Sequence, residues 1–243
     1  MSQPRISTFT SKLTFAVLLA SIGTQVLAVT PDALIKKLES RLGAGQVEAV
    51  GKSPYADLYE VRTKTDILYT DKTGKYLISG RVIDVDTGTN LTEERLNQIN
   101  KIDFKSLPLE DAIKYTKGNG KRVMVIFEDP NCGYCKKFRH TLQEIDNVTV
   151  YTFQLNIVSE ESKAKSRDIW CAADRSKAWD DWMLNNKSPA PANPDCTAPH
   201  EKVLALEKKY RIAGTPAIVF SDGSRIPGAV DAKRVEDKFA KLY

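Results

Sequence analysis

The amino-acid sequence predicts two consecutive folded units, a small α+β unit and then a larger α/β unit that carries a helical insertion. Residues 29–89 indicate the first unit, because one amphipathic helix precedes several short apolar runs of strand length separated by turn residues. A continuous apolar run, Val123-Met124-Val125-Ile126-Phe127, indicates the second, because an amphipathic helix and an alternating strand follow it. The length of 243 residues accommodates one or two domains.

The first 28 residues have the pattern of a secretory signal peptide. Arg5 and Lys12 precede an apolar run from Leu13 to Gly23, and Val26-Leu27-Ala28 supplies small residues for cleavage after about Ala28. The apolar run is shorter than the roughly 20 residues that a membrane-spanning helix needs. The sequence therefore predicts an exported protein.

Composition and charge argue against two broad classes of function. Removal of the leader's two basic residues lowers the formal net charge from +5 to +3, and the mature chain has no basic run interleaved with aromatic residues. The sequence therefore predicts no nucleic-acid partner. No later apolar stretch approaches spanning length, so a role as an integral membrane protein has no support either.

Residues 29–89 form the predicted N-terminal α+β unit. Thr30 and Pro31 are typical of a helix start, and a stripe of apolar residues then ends at Gly43 and Gly45: Leu34, Ile35, Leu38 and Leu42. Four runs read as strands, at residues 58–61, 67–69, 76–78 and 81–83. A unit of about 60 residues is near the lower limit of stable size, so pairing with a second copy is a plausible source of further buried surface. The unit contains no cysteine or histidine, and we expect no catalytic group in it.

Residues 90–105 are predicted to form a linker helix. Asn90 and Glu93 make a helix-start signature, and Leu96, Ile99 and Ile102 follow at helical spacing. Periodicity alone fits equally well with a last helix of the N-terminal unit.

Residues 106–243 form the predicted α/β unit. The strand at 123–127 leads into a helix that begins at Cys132, and the run from Val148 to Leu155 completes a βαβ unit with a right-handed crossover. A helical insertion follows, with one helix over residues 159–183, a proline-rich loop at 188–199 and a second helix that ends near Tyr210. The chain then reads as a strand at 215–220, a turn at Asp222-Gly223, a partner strand at 225–226 and a final helix.

The motif Cys132-Gly133-Tyr134-Cys135 is the candidate catalytic centre. It comes directly after a buried strand and opens an amphipathic helix, which is the context of redox-active cysteine pairs. Unpaired N–H groups and the helix dipole favour an anion at this end, so Cys132 is predicted to be the low-pKa nucleophile. Cys135 lies one turn inside the helix on the same side, and it is predicted to be the resolving thiol.

The other two cysteines, Cys171 and Cys196, lie in the helical insertion. One alternative is a zinc site made of all four cysteines, but the 24 residues between the second pair do not match the close spacing of structural zinc ligands. A structural disulfide between Cys171 and Cys196 is therefore the preferred interpretation, and an inert structural bond within the first motif is the other alternative. No metal or cofactor is expected.

Charged and aromatic residues around the motif have simpler interpretations. Glu128 and Asp129 are expected to be solvated, with tuning of Cys135 as the alternative. Lys136, Lys137 and Arg139 are expected on a solvated helix face, with stabilisation of the Cys132 thiolate as the alternative. His140 and His200 are expected at the surface, and packing is expected of three tryptophans: Trp170, Trp179 and Trp182.

These residues resemble a known family. The strand, the Cys132-Gly133-Tyr134-Cys135 motif, the distant Gly214-Thr215-Pro216 and the final helix are similar to the thioredoxin fold. Together with the leader and the N-terminal unit, nearly everything after Ala28 resembles the DsbC/DsbG family of bacterial periplasmic disulfide isomerases. The likeness extends to residues 76–94, to Leu107-Pro108-Leu109 and to Gly118-Asn119-Gly120-Lys121.

The resemblance implies an architecture and a set of partners. It implies a cystatin-like N-terminal unit that pairs into a V-shaped homodimer, a linker helix and a thioredoxin-fold unit. It also implies a cis peptide bond at Pro216 beside Cys132, with Gly133, Tyr134, Thr215 and Pro216 contacting the substrate. Wrongly oxidised exported proteins are the implied substrates in the periplasm, a membrane thiol reductase of the DsbD type is the implied electron donor, and chaperone activity accompanies the isomerase.

One departure from cytoplasmic thioredoxins concerns proton transfer. Those proteins carry a buried aspartate six residues before the first cysteine, whereas this chain has Ile126 there. The usual proton acceptor for the resolving thiol is therefore absent at that position.

Two other functions remain open on the sequence. A thiol oxidase or reductase of the DsbA/DsbG type would use the same motif, and its reduction potential would differ from that of an isomerase. A mainly non-enzymatic periplasmic holdase would bind unfolded chains in the dimer cleft and would not need Cys132.

Overall fold

The computed structural model describes residues 31–64 and 66–243. The predicted signal peptide and the helix-start residue Thr30 lie outside the described residues. Within residues 31–64 and 66–243, no helix combines the length and the apolar character that crossing a bilayer requires.

The N-terminal unit is one helix packed on a four-stranded antiparallel sheet. Its elements are α1 (Pro31–Leu42), β1 (Val47–Lys52), β2 (Tyr59–Thr63), β3 (Ile67–Thr70) and β4 (Leu77–Ile78), and the strands are ordered β1-β2-β3-β4. The helix ends as predicted, with Gly43 in the left-handed region that glycine adopts without steric cost. Leu34 and Leu38 of α1 pack on Val47, Val50 and Val61 of the sheet, which forms the core of the unit.

Two expectations for this unit were wrong. Strand β1 was not predicted, and residues 81–83 do not form a strand. Ile83 makes only an isolated bridge to Asn90, because β4 is two residues long and offers no continuous partner for a fifth strand.

Helix α2 (Leu91–Ile99) joins the two units, and it is shorter than the predicted linker helix over residues 90–105, because it ends before Ile102. Asn90 caps it, since its side chain accepts a hydrogen bond from the backbone N–H of Glu93. Two short 3₁₀ helices follow, at Phe104–Ser106 and Leu109–Asp111. The chain is tied to the C-terminal unit where Ile102 N donates to the carbonyl of Gly223 at 2.9 Å. A Cβ at Gly223 would meet the carbonyl oxygen of Ile102 at 2.0 Å, so this close approach requires glycine.

The C-terminal unit is built on a five-stranded mixed sheet ordered β5-β7-β6-β8-β9. Its strands are β5 (Ile113–Lys117), β6 (Arg122–Glu128), β7 (Val148–Gln154), β8 (Ala217–Phe220) and β9 (Arg225–Pro227). Its helices are α3 (Gly133–Leu142), α4 (Glu160–Trp170), α5 (Arg175–Asn185), α6 (His200–Tyr210) and α7 (Ala232–Ala240). Strands β6 and β7 are parallel, as the predicted βαβ unit requires, and the other pairs are antiparallel.

Both faces of this sheet are covered, which explains the continuous apolar run in β6. Met124 and Ile126 point into a core formed with α3 and α7, whereas Val125 and Phe127 point into a second core formed with α6 and the segment around Ile102. The predicted strands at 123–127, 148–155 and 215–220 are confirmed.

Two features of the C-terminal unit differ from expectation. Strand β5 was not predicted; Lys114 and Thr116 are exposed and alternate with less exposed residues, and the strand pairs antiparallel with β7 at the edge of the sheet. The single helix predicted over 159–183 is two helices, α4 and α5, which break at residues 171–174. Asp174 caps α5 by accepting from the N–H of Lys177 and so fixes the restart of the helix.

Candidate functional site

The two cysteines of the motif occupy different positions at the start of α3. Cys132 is the N-cap residue, with an extended backbone, and Cys135 lies in the first turn of the helix. Both are unbonded thiols. Cys135 is fully buried, whereas Cys132 retains 7% of its surface. Cys132 is therefore the sulfur that an incoming disulfide can reach, and it lies at the N-terminal end of α3.

The loop that precedes strand β8 faces Cys132. The Thr215–Pro216 peptide bond that precedes β8 is cis. The Cys132 Sγ donates to the carbonyl oxygen of Thr215 at 3.4 Å, because β8 lies beside β6 in the sheet and brings this loop to the motif. The structure thus brings Cys132, Cys135, Thr215 and Pro216 together. Gly133 and Tyr134, which lie between the two cysteines, are exposed.

Glu128, the last residue of β6, is a buried carboxyl group beside the motif. Its exposed fraction is 0%, so the expectation that it is solvated was wrong. Thr152 Oγ1 donates to its Oε2 at 3.4 Å, and among the described residues Oε1 has no hydrogen-bond partner. Burial raises the pKa of Glu128 to about 7, and the charge of Arg139 opposes that rise. The Trp179 indole also favours the ionised form, although its Nε1 makes no hydrogen bond of good geometry within the described chain.

The thiol of Cys135 is coupled to this carboxyl group. Burial raises the pKa of Cys135 well above its ordinary value, and the negative charge of Glu128 raises it further. Transfer of a proton from Cys135 to ionised Glu128 moves the negative charge between two buried groups without adding one. The structure therefore contains a buried carboxyl group whose charge acts on a buried thiol, and both groups have raised pKa values.

Arg139 supplies a positive charge on the same buried side of α3. Its side chain is 1% exposed, so the expectation of a solvated helix face was wrong for this residue. Arg139 Nε donates to Asp180 Oδ1 at 2.6 Å, and the guanidinium lies 5.0 Å from the centre of the Tyr115 ring. Lys137 is exposed, as expected, and Lys136 lies over the Trp182 ring at 4.3 Å.

Asp129 is also fully buried, and here too the expectation of a solvated side chain was wrong. Its Oδ1 accepts from Asn131 N at 2.7 Å and from Ser162 Oγ at 2.8 Å. Its Oδ2 accepts from the backbone N–H groups of Ile157 and Val158, both at 2.9 Å. This carboxylate therefore fixes the loop before Cys132 against the chain that enters α4.

The helical insertion supports the motif from a third direction. Trp182 Nε1 of α5 donates to the carbonyl of Pro130 at 2.7 Å. Cys171 and Cys196 are joined by a disulfide across a Cα separation of 6.1 Å, and Arg167 Nε donates to the carbonyl of Cys196. Because these sulfurs are bonded to each other, they are not available as ligands of the zinc site considered above. Trp179 is fully buried in the same region, as expected for packing.

The histidines take no part in the motif. His140 is exposed, as predicted, but His200 is partly buried, with its Nδ1 2.8 Å from Asn156 Nδ2. Burial lowers the pKa of His200. Neither histidine hydrogen-bonds to Cys132 or Cys135 in the described part of the chain.

Glu128 is the residue beside the motif whose burial sequence reasoning misjudged, and a signal for that burial existed. Alternation along β6 puts residues 124, 126 and 128 on one face, and the first two lie in the core under α3. A carboxyl group two residues beyond a buried isoleucine on a helix-covered face is a candidate for burial. Its neutralising partners come from distant elements, which the pattern of β6 does not reveal.

Comparisons with known proteins agree with this geometry. The model of the thioredoxin-like domain matches residues 109–243, and the model of the disulfide bond isomerase protein N-terminal domain matches residues 25–93. The chain is 44% identical over 205 residues to the probable thiol:disulfide interchange protein DsbC of Bordetella parapertussis, covering 84% of this chain and 72% of that protein. It is 30% identical over 218 residues to thiol:disulfide interchange protein DsbC of Escherichia coli, covering 86% of this chain and 88% of that protein.

A solved structure supports the same assignment for the C-terminal unit. The crystal structure of a disulfide interchange protein from Neisseria gonorrhoeae is 34% identical, covers 56% of this chain and 97% of that chain, and superposes with a TM-score of 0.53. The predicted fold class, a small α+β unit followed by a thioredoxin-fold unit, is confirmed. With an N-terminal domain typical of disulfide bond isomerases and an unbonded cysteine pair at the start of α3, the chain belongs to the DsbC family of thiol:disulfide interchange enzymes.

Proposed function

We propose that this chain is a periplasmic, homodimeric disulfide isomerase in which Cys132 attacks incorrect disulfides of exported proteins. One observation carries the proposal: Cys132 is the accessible thiol at the N-cap of α3 and faces the Thr215 carbonyl, while Cys135 is fully buried behind it. This arrangement separates an attacking thiol from a resolving thiol.

The first step forms a mixed disulfide. The Cys132 thiolate attacks one sulfur of the substrate disulfide, a bond forms between Cys132 and that sulfur, and the other substrate sulfur leaves as a thiolate. Thr215 offers its backbone to the bound peptide beside this bond, and Pro216, Gly133 and Tyr134 complete the contact surface.

Two outcomes follow from the mixed disulfide. In isomerisation, another substrate thiolate attacks the substrate sulfur, forms a new substrate disulfide and releases the Cys132 thiolate. In net reduction, Cys135 attacks the sulfur of Cys132, and the substrate leaves as a dithiol. The second outcome leaves Cys132 and Cys135 oxidised, so a membrane thiol reductase of the DsbD type is the proposed electron donor.

Glu128 is the proposed proton acceptor for the resolving step. Cys135 must lose its proton before it attacks, and burial disfavours its thiolate. A carboxyl group with a pKa near 7 is close to the pH of a near-neutral compartment, where a general base works best. Glu128 thus takes the part of the aspartate that Ile126 replaces, from the next inward-facing position of the same strand.

Homodimerisation through the N-terminal unit is supported by its exposed apolar edge. Strand β4 has no partner on its outer side in the described residues, and both its residues, Leu77 and Ile78, are exposed. Tyr76, Ile83 and Val85 add to this surface, and Val85 is 89% exposed. An apolar edge strand of this kind is a ready surface for pairing with another copy.

Export and chaperone activity complete the proposal. The predicted leader, with cleavage after about Ala28, would deliver the chain to the periplasm. Exposed apolar side chains beside the motif, Tyr134, Ile157 and Val158, provide a surface that fits unfolded polypeptide. The oxidase and the holdase are the alternatives that the test must separate.

The test is reactivation of a scrambled multi-disulfide protein by the mature chain and three variants. We expect the wild type to restore activity and Cys132→Ser to restore none. Cys135→Ala should retain part of the isomerisation but accumulate mixed disulfide, because the resolving thiol is gone. Ile78→Lys should convert the dimer to a monomer by sedimentation and lose most of the isomerisation, while retaining reduction of a small disulfide.

Each contradictory result has a definite meaning. Full activity in Cys132→Ser would favour the holdase, particularly if that variant also suppresses aggregation as well as the wild type. A wild-type chain that oxidises dithiols but leaves scrambled substrate unchanged would favour the oxidase. A monomeric wild type would overturn the homodimer.

A further inference from the structure

A cleft between the two units holds an unusual concentration of positive charge. A cavity of about 540 Å³ lies between α2, the turn that contains Lys64, and the C-terminal segments around Arg211 and Arg225. A second cavity of about 290 Å³ adjoins it and shares Asn100, Arg211 and Arg225 with it. The two cavities together are called the cleft below.

The charged side chains that line this cleft are mostly basic. Five basic side chains line the larger cavity and three more line the smaller one, against one glutamate in each. The excess of six positive charges compares with a formal net charge of +5 for all 243 residues. Arg81 is paired with Asp66, which lies outside the lining, and counting that carboxylate leaves an excess of five positive charges at the cleft.

The carboxylates inside the cleft are already engaged. Glu48 binds both Arg62 and Arg211, and Glu93 binds Arg234. In the described part of the chain, four further cations have no carboxylate within 4.0 Å: Lys64, Lys101, Lys209 and Arg225.

Arg225 is the most confined of these four cations. Its Nη1 donates to the carbonyl of Tyr210 at 2.6 Å, and its backbone N–H donates to Asn97 Oδ1. Burial lowers the pKa of Arg225, and the charge of Arg211 lowers it further. An anion entering the cleft would relieve this repulsion between two guanidinium groups.

The cleft also reaches the catalytic motif. Gly214 and Thr215 line the larger cavity, and the carbonyl of Thr215 is the acceptor for Cys132 Sγ. Thr215 therefore borders both the larger cavity and the sulfur to which a polypeptide would be attached. Apolar side chains in the same lining, Leu96, Ile212 and Ile226, suit the stem of a long acidic side chain more than a bare inorganic ion.

We propose that this cleft binds aspartate and glutamate side chains of a substrate polypeptide near its reacting cysteine, and so gives the enzyme a preference for acidic segments. The inference rests on the proposed function, since it needs a substrate attached at Cys132. The selectivity is for substrates that carry acidic residues near the cysteine attacked by Cys132.

The test uses three peptides of equal length whose single cysteine is activated as a disulfide with 5-thio-2-nitrobenzoate. The residues near the cysteine are glutamates, glutamines or lysines. Attack by Cys132 forms the enzyme-peptide disulfide and releases the coloured thiolate, so absorbance gives the rate. At low ionic strength we expect the acidic peptide to react about 10-fold faster than the neutral one, and 0.5 M salt to abolish most of the difference.

Variants separate the cleft from the overall charge of the protein. Arg225→Gln and the double variant Lys101→Gln/Lys209→Gln should each lower the acidic-to-neutral rate ratio at least threefold. The matched control, Lys105→Gln/Lys208→Gln, removes the same number of charges from the same two segments outside the cleft lining, and it should leave the ratio unchanged. Lys101 and Lys209 are exposed, so their replacement should not prevent folding. The double variant therefore tests the cleft even if Arg225→Gln fails to fold.

The outcomes distinguish two failures. If the neutral peptide reacts through Cys132 but the wild type shows no preference for the acidic one, the cleft assignment is overturned and the proposed function stands. A ratio that the control lowers as much as the cleft variants also overturns it. If Cys132→Ser releases the coloured thiolate as fast as the wild type, the proposed function itself fails.

Discussion

Two neighbouring carboxyl groups at the end of β6 enter different surroundings and behave differently. Asp129 accepts four hydrogen bonds, two at each oxygen, from Asn131, Ser162 and the backbone of residues 157–158. Glu128 accepts one weak hydrogen bond from Thr152 and leaves Oε1 without a partner among the described residues. Strand alternation directs the two side chains to opposite sides of the sheet.

The difference shows how one strand end serves both structure and chemistry. A carboxylate with all its lone pairs satisfied holds a loop in place. A buried carboxyl group with few donors is poorly stabilised when charged, so its pKa rises toward the pH at which it can exchange a proton. Full hydrogen bonding therefore accompanies the carboxyl group that holds the loop, and sparse hydrogen bonding accompanies the carboxyl group with the raised pKa.

The largest effect that we expect is on the pH dependence of stability. The folded-state pKa of Glu128, about 7, exceeds the unfolded value of 4.5, so its contribution to stability is full below pH 4.5 and is lost as the pH rises through 7. Glutamine does not ionise, so Glu128→Gln does not lose free energy of unfolding when the pH rises through 7. Relative to the wild type, the variant should gain about 3 kcal/mol in free energy of unfolding between pH 4 and pH 8.

Urea denaturation at several pH values checks this prediction. Glu144→Gln, which removes an exposed carboxyl group just beyond α3, is the matched control and should show almost no pH-dependent gain. Parallel pH profiles for Glu128→Gln and the wild type would show that Glu128 is not a neutral buried acid.

The next effect concerns the resolving step. Without a proton acceptor, attack by Cys135 on the mixed disulfide should slow about 100-fold in Glu128→Gln, which is the usual size of a general-base contribution. In the wild type the rate should rise with pH through about 7, because only ionised Glu128 accepts a proton. Rapid-quench measurement of mixed-disulfide decay gives both quantities. An unchanged pH profile in the variant would assign the base to another group.

Asp129→Asn should act on stability alone. An amide in place of the carboxylate presents an N–H group to donors that need an acceptor, and this should cost about 2 kcal/mol of unfolding free energy. The pH at which resolution is half-maximal should remain near that of the wild type. Denaturation and the same decay assay check this, with the exposed Asp195→Asn as control. A large shift of the pH midpoint would remove the distinction between the two carboxyl groups.

The smallest effect concerns Arg139, whose charge opposes the rise in the pKa of Glu128. Arg139→Met keeps much of the packing under α3 but removes that charge, so the pH midpoint of resolution should move upward by about one unit. Lys137→Met, on the exposed side of the same helix, should leave the midpoint unchanged. A downward shift in Arg139→Met would contradict the proposed electrostatics.

Local patterns predicted the position of the motif and most elements around it. Short-range periodicity predicts the strand at 123–127 and the helix that follows it. Because the motif lies between them, the positions of Cys132 and Cys135 at the start of that helix follow from the same pattern. The wrong predictions concern elements whose formation depends on contacts with distant parts of the chain. Residues 81–83 have a strand-like composition but no partner strand, and β1 forms because β2 pairs with it.

The burial of Glu128, Asp129 and Arg139 depends on elements that arrive later in the chain. Trp179 and Asp180 come from α5, and Ser162 comes from α4. Polar residues beside a strand end are usually solvated, so only the placement of the insertion reveals that these three are covered. Local sequence patterns therefore could not predict which side chains cover these three residues.

The bond between Cys171 and Cys196 has a consequence for how the protein matures. Helices α4 and α5 flank Cys171 and carry Ser162, Asp180 and Trp182, which fix the motif from outside. In the structure Cys171 and Cys196 are bonded to each other, whereas Cys132 and Cys135 are unbonded thiols. Under the proposed function, the helical insertion needs one cysteine pair oxidised and the motif needs the other pair as thiols, so assembly and catalysis place opposite redox demands on a single chain.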